Sequence, residues 1–206
     1  MDDQQRMEFF CTAHCPGLSD EELQTTVISL LKEKRVAHVL GCAQTAVQLA
    51  QIWGADIRDA YRAGILHDVT KALDGAQQLA LCHRLGLCLD TFSQENPKTL
   101  HQLTGAVVAQ RVFGENDAVC DAVRTHTTGC SAMTTLQKII YIADYMEPNR
   151  SFEGVEEMRA LAVTDLDGAL KMGLQMTVNL LREQGKQVCA QSLAALRDLE
   201  KEKVTC

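Results

Sequence analysis

Aromatic side chains make up only 4% of the 206 residues, and proline occurs three times. No alternating apolar-polar run reaches strand length, so nothing in the chain asks for a sheet. Long apolar runs are missing as well: none approaches the roughly 20 residues that cross a bilayer. The opening "MDDQQRMEFF" is acidic where a secretory signal would be basic. Basic residues are outnumbered, leaving a formal charge of −7, which argues against nucleic acid or an anionic membrane as partner. Nine cysteines form no C-x-x-C pair, and their odd number suits free thiols in a reducing compartment better than a disulfide framework. The expected location is the cytoplasm.

What the chain has in abundance is Ala, Leu, Gln and Glu, residues that lose little rotamer freedom in a helix. With 46% hydrophobic side chains it can bury one sizeable core. The expectation is an all-α bundle in a single domain over residues 19–206, preceded by a variable, loosely ordered segment over residues 1–18. "CTAHC" (Cys11, His14, Cys15) has zinc-ligand types but no second pair to complete a tetrahedral site.

Helix signals recur almost end to end. "SDEE" at Ser19 reads as a capping box and predicts a helix to about Lys34. A second helix is expected from about Arg35 to Ile52, closed by Gly54. Asp56 and Asp74 can each cap a further one. "LDTFSQENPKT" (Leu89–Thr99) reads as a loop, because Pro97 and a polar cluster interrupt the pattern. Helices follow near Leu100–Phe113, Asn116–Thr125 and Thr134–Met146, where Pro148 stops the last. "TDLD" at Thr164 can open a long amphipathic helix to about Gln184, and a final one covers about Ala190–Lys201.

"GILHDVTK" places His67 directly before Asp68 at the end of an apolar run. Roughly 0.4 such pairs are expected by chance in this composition, so the pair alone is weak evidence. Its company strengthens it. His38, His101 and His126 each lie in or near the end of a predicted helix, and Asp144 interrupts "KIIYIADYM". Buried imidazoles and carboxylates are costly unless paired, hydrogen-bonded or metal-bound. A single His on a helix is more often a satisfied core or surface residue. A metal reading explains the whole set jointly. Four imidazoles and two carboxylates suit iron, manganese, cobalt or zinc, not a magnesium site of oxygen ligands alone. Six ligands exceed one open centre and fit two metals sharing a bridging carboxylate.

Four blocks carry a resemblance: "RVAHVLGCAQTAVQLA", "AGILHDVTK", "TLHQLTGAVVAQRVFG" and above all "AVRTHTTGCSAMTTLQKIIYIADYMEPNR". Over about Arg35 to Arg150 the chain resembles the HD-domain metal-dependent phosphohydrolases, and within them the bacterial YqeK-type symmetrical diadenosine tetraphosphate hydrolases. The resemblance implies an HD-domain bundle with its metal-site core over about residues 35–150 and C-terminal helices over about 164–201. It further implies that His38, His67, Asp68 and Asp144 hold one metal, while Asp68 bridges to a second held by His101 and His126. Two transition ions follow as cofactors, iron first among them.

The implied reaction splits diadenosine tetraphosphate into two ADP by attack of a metal-activated water, with Asp68 and Lys71 as catalytic residues. Lys71, Arg35, Arg150, Thr127, Thr128 and Gly129 are the candidate substrate contacts. Each has a plainer role: Lys71 a solvated helix end, Arg35 a surface residue, Arg150 a salt-bridge partner for Glu147, and "TTG" a helix stop. Two alternatives stay open. One is an HD hydrolase acting on a nucleoside monophosphate or guanosine polyphosphate, and the other is a non-catalytic helical binding protein. The apolar stretch "ALKMGLQMTVNLL" could cover a second copy in a homodimer or pack on its own core.

Overall fold

The computed structural model describes residues 1–201; the tail over 202–206, which the resemblance does not reach, lies outside the described residues. Twelve α-helices and one 3-10 segment, with no strand, are present among the described residues. In order they are α1 (Asp3–Thr12), α2 (Asp20–Leu30), α3 (Glu33–Trp53), α4 (Ile57–Leu66), α5 (Gly75–Arg84), α6 (Thr91–Glu95), a 3-10 turn at Pro97–Thr99, α7 (Leu100–Arg111), α8 (Asp117–Thr125), α9 (Thr135–Met146), α10 (Val155–Ala162), α11 (Leu166–Glu183) and α12 (Ala190–Lys201). The all-α expectation holds. No helix among the described residues is long and apolar enough to cross a membrane.

Side-chain caps set most boundaries. Ser19 and Glu22 close a capping box on α2, Asp74 and Gln77 on α5, and Thr134 and Gln137 on α9. Asp56 accepts from the amide of Asp59 to start α4. Gly54 ends α3 in the left-handed region that a Cβ disfavours.

Five features differ from the sequence expectation. The N-terminal segment is not loose: Asp2 and Gln5 form a capping box on α1, and Phe10 is 1% exposed. The helix begun at Ser19 stops at Leu30 because buried Arg6 of α1 donates from Nε to the Leu30 carbonyl at 2.7 Å, an acceptor the next helical turn would have used. The Leu89–Thr99 stretch contains α6, capped by Asp90, and a 3-10 turn opened by Pro97. Residues 149–163, given no element in the sequence reading, hold α10, started by left-handed Gly154; with only Val155, Met158 and Ala162 buried, its apolar pattern is too short to read. The cap of α11 is Asp165, while the Thr164 hydroxyl donates back to α10.

Helix α4 lies at the centre, packed on α3, α8 and α9, with α7 against α8. Its approach to α3 is very close: a Cβ on Gly64 would come within 2.6 Å of the Ala43 Cα. This contact places the end of α4, and with it His67 and Asp68, against the first turns of α3. Helix α11 turns Leu166, Ala169, Leu170, Leu174 and Val178 inward onto its own core.

Two stability outcomes are expected. Phe10→Ala should cost about 3–5 kcal/mol in chemical denaturation, whereas a loosely ordered N-terminus would leave stability unchanged. Gly64→Ala should destabilise by about 1–3 kcal/mol through overpacking on α3, and an unaltered denaturation midpoint would refute that close contact.

Candidate metal centre

Five elements deliver the candidate ligands. His38 comes from the second turn of α3, His67 and Asp68 from the end of α4, and His101 from the start of α7. His126 caps the C-terminus of α8, and Asp144 lies in the last turn of α9. The chain after α4 continues in tight turns, with the Val69 amide bonded to the Leu66 carbonyl and the Lys71 amide to that of Asp68. The Thr70 hydroxyl ties this turn to α7 by donating to the His101 carbonyl at 3.2 Å.

A local device repeats at three of the four histidines. The Nδ1–H of His67 donates to the Gly64 carbonyl at 2.7 Å, that of His101 to Lys98 at 2.9 Å, and that of His126 to Val123 at 2.7 Å. In His38 the Nδ1–H instead donates to Glu147 Oε1 at 3.1 Å. Each bond fixes the tautomer with the Nε2 lone pair facing inward.

The Nε2 atoms meet in two pairs, His38 with His67 at 3.2 Å and His101 with His126 at 3.1 Å. Asp68 lies between the pairs and divides its oxygens. Oδ2 is 3.6 Å from His38 Nε2 and 3.5 Å from His67 Nε2, while Oδ1 is 3.5 Å from His101 Nε2 and 3.8 Å from His126 Nε2. Asp144 Oδ1 joins the first pair at 3.1 Å from His38 Nε2. The result is two groups, His38–His67–Asp144 and Asp68–His101–His126, each with ligand atoms within 4.8 Å of one another.

The electrostatics favour cations here. Burial drives His67 and His101 well below the ordinary histidine range and His126 down to about 4, so these rings are neutral near pH 7. Neutral imidazoles donating through Nδ1 leave Nε2 lone pairs facing each other at contact distance, so the two rings of a pair cannot hydrogen-bond to one another. A positive ion in each group would satisfy both rings, and the mixed imidazole and carboxylate donors suit a first-row transition ion. Burial alone would raise the Asp144 carboxyl, but His38 Nε2, 3.1 Å away and donating when that ring is protonated, and the other imidazoles in their charged forms bring it well below the usual range.

The other predicted residues fall into two sets. Arg35 ion-pairs through Nη2 with Asp68 Oδ2, and Lys71 Nζ lies 3.7 Å from Asp68 Oδ1 and 2.8 Å from His101 Nε2. Desolvation pushes Lys71 down to about 8, with the Arg35 and Arg150 charges adding to it. Arg150 Nη2 donates to Asp144 Oδ1 at 2.7 Å, a closer partner than the Glu147 expected from the sequence, which is 3.9 Å from its Nε. The Thr127 hydroxyl is 3.1 Å from both His101 Nε2 and His126 Nε2.

Thr128 and Gly129 are not brought to the centre. Buried Thr128 bonds to Gln102 through its amide and hydroxyl, and left-handed Gly129 packs near Leu174 and Met133. Cys11, His14 and Cys15 join no ligand group among the described residues; His14 Nδ1 donates to the Arg111 carbonyl instead.

Sequence reasoning missed Glu147 and Lys98. Glu147 is 1% exposed, held on His38 and by the Asn149 amide at 2.7 Å. A Cβ on Gly41 would come within 2.6 Å of its Oε2, so the glycine makes room for this carboxylate. The readable signal was its position three residues after Asp144, on the same helical face. Lys98 lines a cleft of about 370 Å³ with Lys71 and His101.

The profile of the HD domain family matches residues 35–149. This chain belongs to the HD-domain family. Its HD segment begins at Arg35 and ends just before Arg150, enclosing every candidate ligand. The chain is 38% identical over 172 residues to a Bacillus subtilis protein named symmetrical bis(5'-nucleosyl)-tetraphosphatase, covering 83% of this chain and 92% of that one. It is equally similar to the Halalkalibacterium halodurans protein of the same name, at 38% over 82% of this chain and 90% of the relative. A Clostridium acetobutylicum crystal structure, described as a predicted HD superfamily hydrolase involved in NAD metabolism, superposes with a TM-score of 0.86 at 36% identity. That match covers 90% of this chain and 98% of the other.

Two outcomes follow for this HD-domain protein. Stripping transition metal with a chelator should lower its melting temperature by on the order of 5–10 °C, whereas a bundle of self-satisfied histidines would show no change. Glu147→Gln should weaken one class of metal site about 10–100-fold in a metal titration while leaving the other class intact. Equal affinity at both sites in the variant would reduce Glu147 to a packing role.

Proposed function

We propose that this chain is a two-metal phosphoanhydride hydrolase that cleaves diadenosine tetraphosphate symmetrically into two ADP. The observation that carries the reading is the divided carboxylate of Asp68, one oxygen toward each histidine pair, in the arrangement a two-ion centre needs. The substrate comes from the relatives that share the name symmetrical bis(5'-nucleosyl)-tetraphosphatase over most of both chains.

His38, His67 and Asp144 would hold one ion, His101 and His126 the other, and Asp68 would bridge them. Iron is the first choice, with manganese, cobalt or zinc compatible with the same donors. Bound there, two such ions supply Lewis acidity to the phosphates and lower the pKa of an attacking water.

The chain's own residues do the rest. Water adds to one of the two central phosphorus atoms and the bond to the central bridging oxygen breaks, so that each half leaves as ADP. Lys71, beside Asp68 Oδ1 and His101, offers an ammonium to the non-bridging oxygens or to the departing phosphate. Arg35 flanks Asp68 on its other oxygen and adds positive charge where the phosphates crowd. Arg150 is held on Asp144 at the rim, in reach of a phosphate or ribose, and the Thr127 hydroxyl faces the second group. These local cations are needed because the chain as a whole is negative.

Product analysis of the metal-loaded protein with diadenosine tetraphosphate should give ADP as the sole nucleotide. Asp68→Asn should lower turnover by on the order of 10³-fold with the fold retained. Equimolar ATP and AMP would overturn symmetric cleavage, and turnover that survives chelation would overturn metal dependence.

A further inference from the structure

Helix α12 lies beyond the HD segment, which ends at residue 149. It packs on α11, and three of its side chains bond to one short stretch, residues 128–132, just after the ligand His126 and its neighbour Thr127. The Ser192 hydroxyl donates to the Thr128 carbonyl at 2.7 Å, and Gln191 Oε1 accepts from the Thr128 hydroxyl at 3.2 Å. Roughly two turns further along, Asp198 accepts from the Ala132 amide at 3.0 Å and from the Ser131 hydroxyl. Ser192 is buried, so its hydroxyl is spent on this bond with no water to compete for it.

The stretch does not take its path by local preference. Gly129 has φ +65°, and Ala132, at +51°, is the one non-glycine residue with positive φ among the described residues. An alanine there is strained and persists only where its surroundings hold it. The group that Asp198 takes is the amide of that alanine.

From the opposite side, Gln102 Oε1 accepts from the Thr127 and Thr128 amides, each at 3.2 Å. Thr128 is therefore gripped twice, its N–H by Gln102 and its C=O by Ser192. With it the Thr127 hydroxyl is fixed 3.1 Å from both His101 Nε2 and His126 Nε2. Both rings donate through Nδ1, so this hydroxyl is a donor held between two acceptors. The first ligand group has its outer partners elsewhere, Glu147 on His38 and Arg150 on Asp144.

We propose that α12 is a positioning clamp for the second ligand group. Ser192 and Asp198 set the path of residues 127–132, so that His126 and the Thr127 hydroxyl face the site shared by Asp68, His101 and His126. The inference deepens the two-metal reading and rests on it: one of the two ion sites depends on residues outside the HD segment, and the other does not.

The test compares wild type with Ser192→Ala, Asp198→Ala and Ser192→Thr in transition-metal titration, and in amide hydrogen exchange and thermal melting of the metal-free protein. In Ser192→Ala one class of metal site should weaken on the order of 10-fold, and it should be the class that Glu147→Gln leaves intact. The Thr127 and Thr128 amides should exchange on the order of 10-fold faster. Asp198→Ala should act in the same direction, and Ser192→Thr, which keeps the hydroxyl, should restore wild-type behaviour. A merely structural α12 would lower the melting temperature and weaken both classes together, which would overturn the clamp. Loss of the same class as in Glu147→Gln, or two classes untouched by either alanine variant, would overturn it equally. Wild-type protein that takes up no transition metal would remove the two-metal reading and the clamp with it, whereas two wild-type classes that the variants leave alone would remove the clamp only.

Discussion

Four imidazole nitrogens turned toward one another in a dry interior are costly unless hydrogen-bond donors or positive charge meet them. Around that constraint the protein is arranged. Three backbone carbonyls and one buried glutamate each consume an Nδ1–H, and so commit every ring to present an acceptor to the same small volume. Asp68, nearly sealed from solvent, puts one oxygen to each pair of acceptors. Concentrating so many acceptors in the interior costs stability unless ions, or the neighbouring Arg35 and Lys71 cations, offset them.

The packing serves this constraint by bringing backbone close to backbone. Gly64 lets α4 press on α3 where a methyl group would collide, and Gly41 leaves the space in which Glu147 reaches His38. The α3–α4–α9 contact is what converts three separate stretches of chain into one ligand group. On the other side, the Thr70 turn and Gln102 hold α7 and the segment after α8 in register, so that His101 and His126 face each other. Arg6 of α1 reinforces the frame from outside by ending α2 and setting the start of α3, the helix that carries Arg35 and His38.

Charge is distributed unevenly. The chain is acidic overall, yet Arg35, Lys71, Lys98 and Arg150 stand around the centre or line the clefts beside it. A polyanion at the centre meets a local field opposite in sign to the net charge. The two clefts add asymmetry: one is lined by Lys71, Lys98, Asp74 and His101 and has no Phe, Tyr or Trp, while the other carries Tyr145 and Phe152 beside Asp144 and Arg150.

The sequence by itself determined the all-α class and most of the helix starts, and it named the candidate ligands, because caps and apolar spacing act within a few residues and HD-family motifs are contiguous. It did not determine the breaks that depend on distant partners. The end of α2 is set by an arginine 24 residues earlier, and short α10 is too brief to show a period. Nor did it reveal Glu147 as a partner of His38, or that Thr128 and Gly129 turn away from the centre, since both follow from how helices meet. Which residue types could bind metal is a local chemical property. Which of their atoms face one another, and which cleft each group opens into, was decided by tertiary packing, because orientation across 100 residues of chain has no local signature.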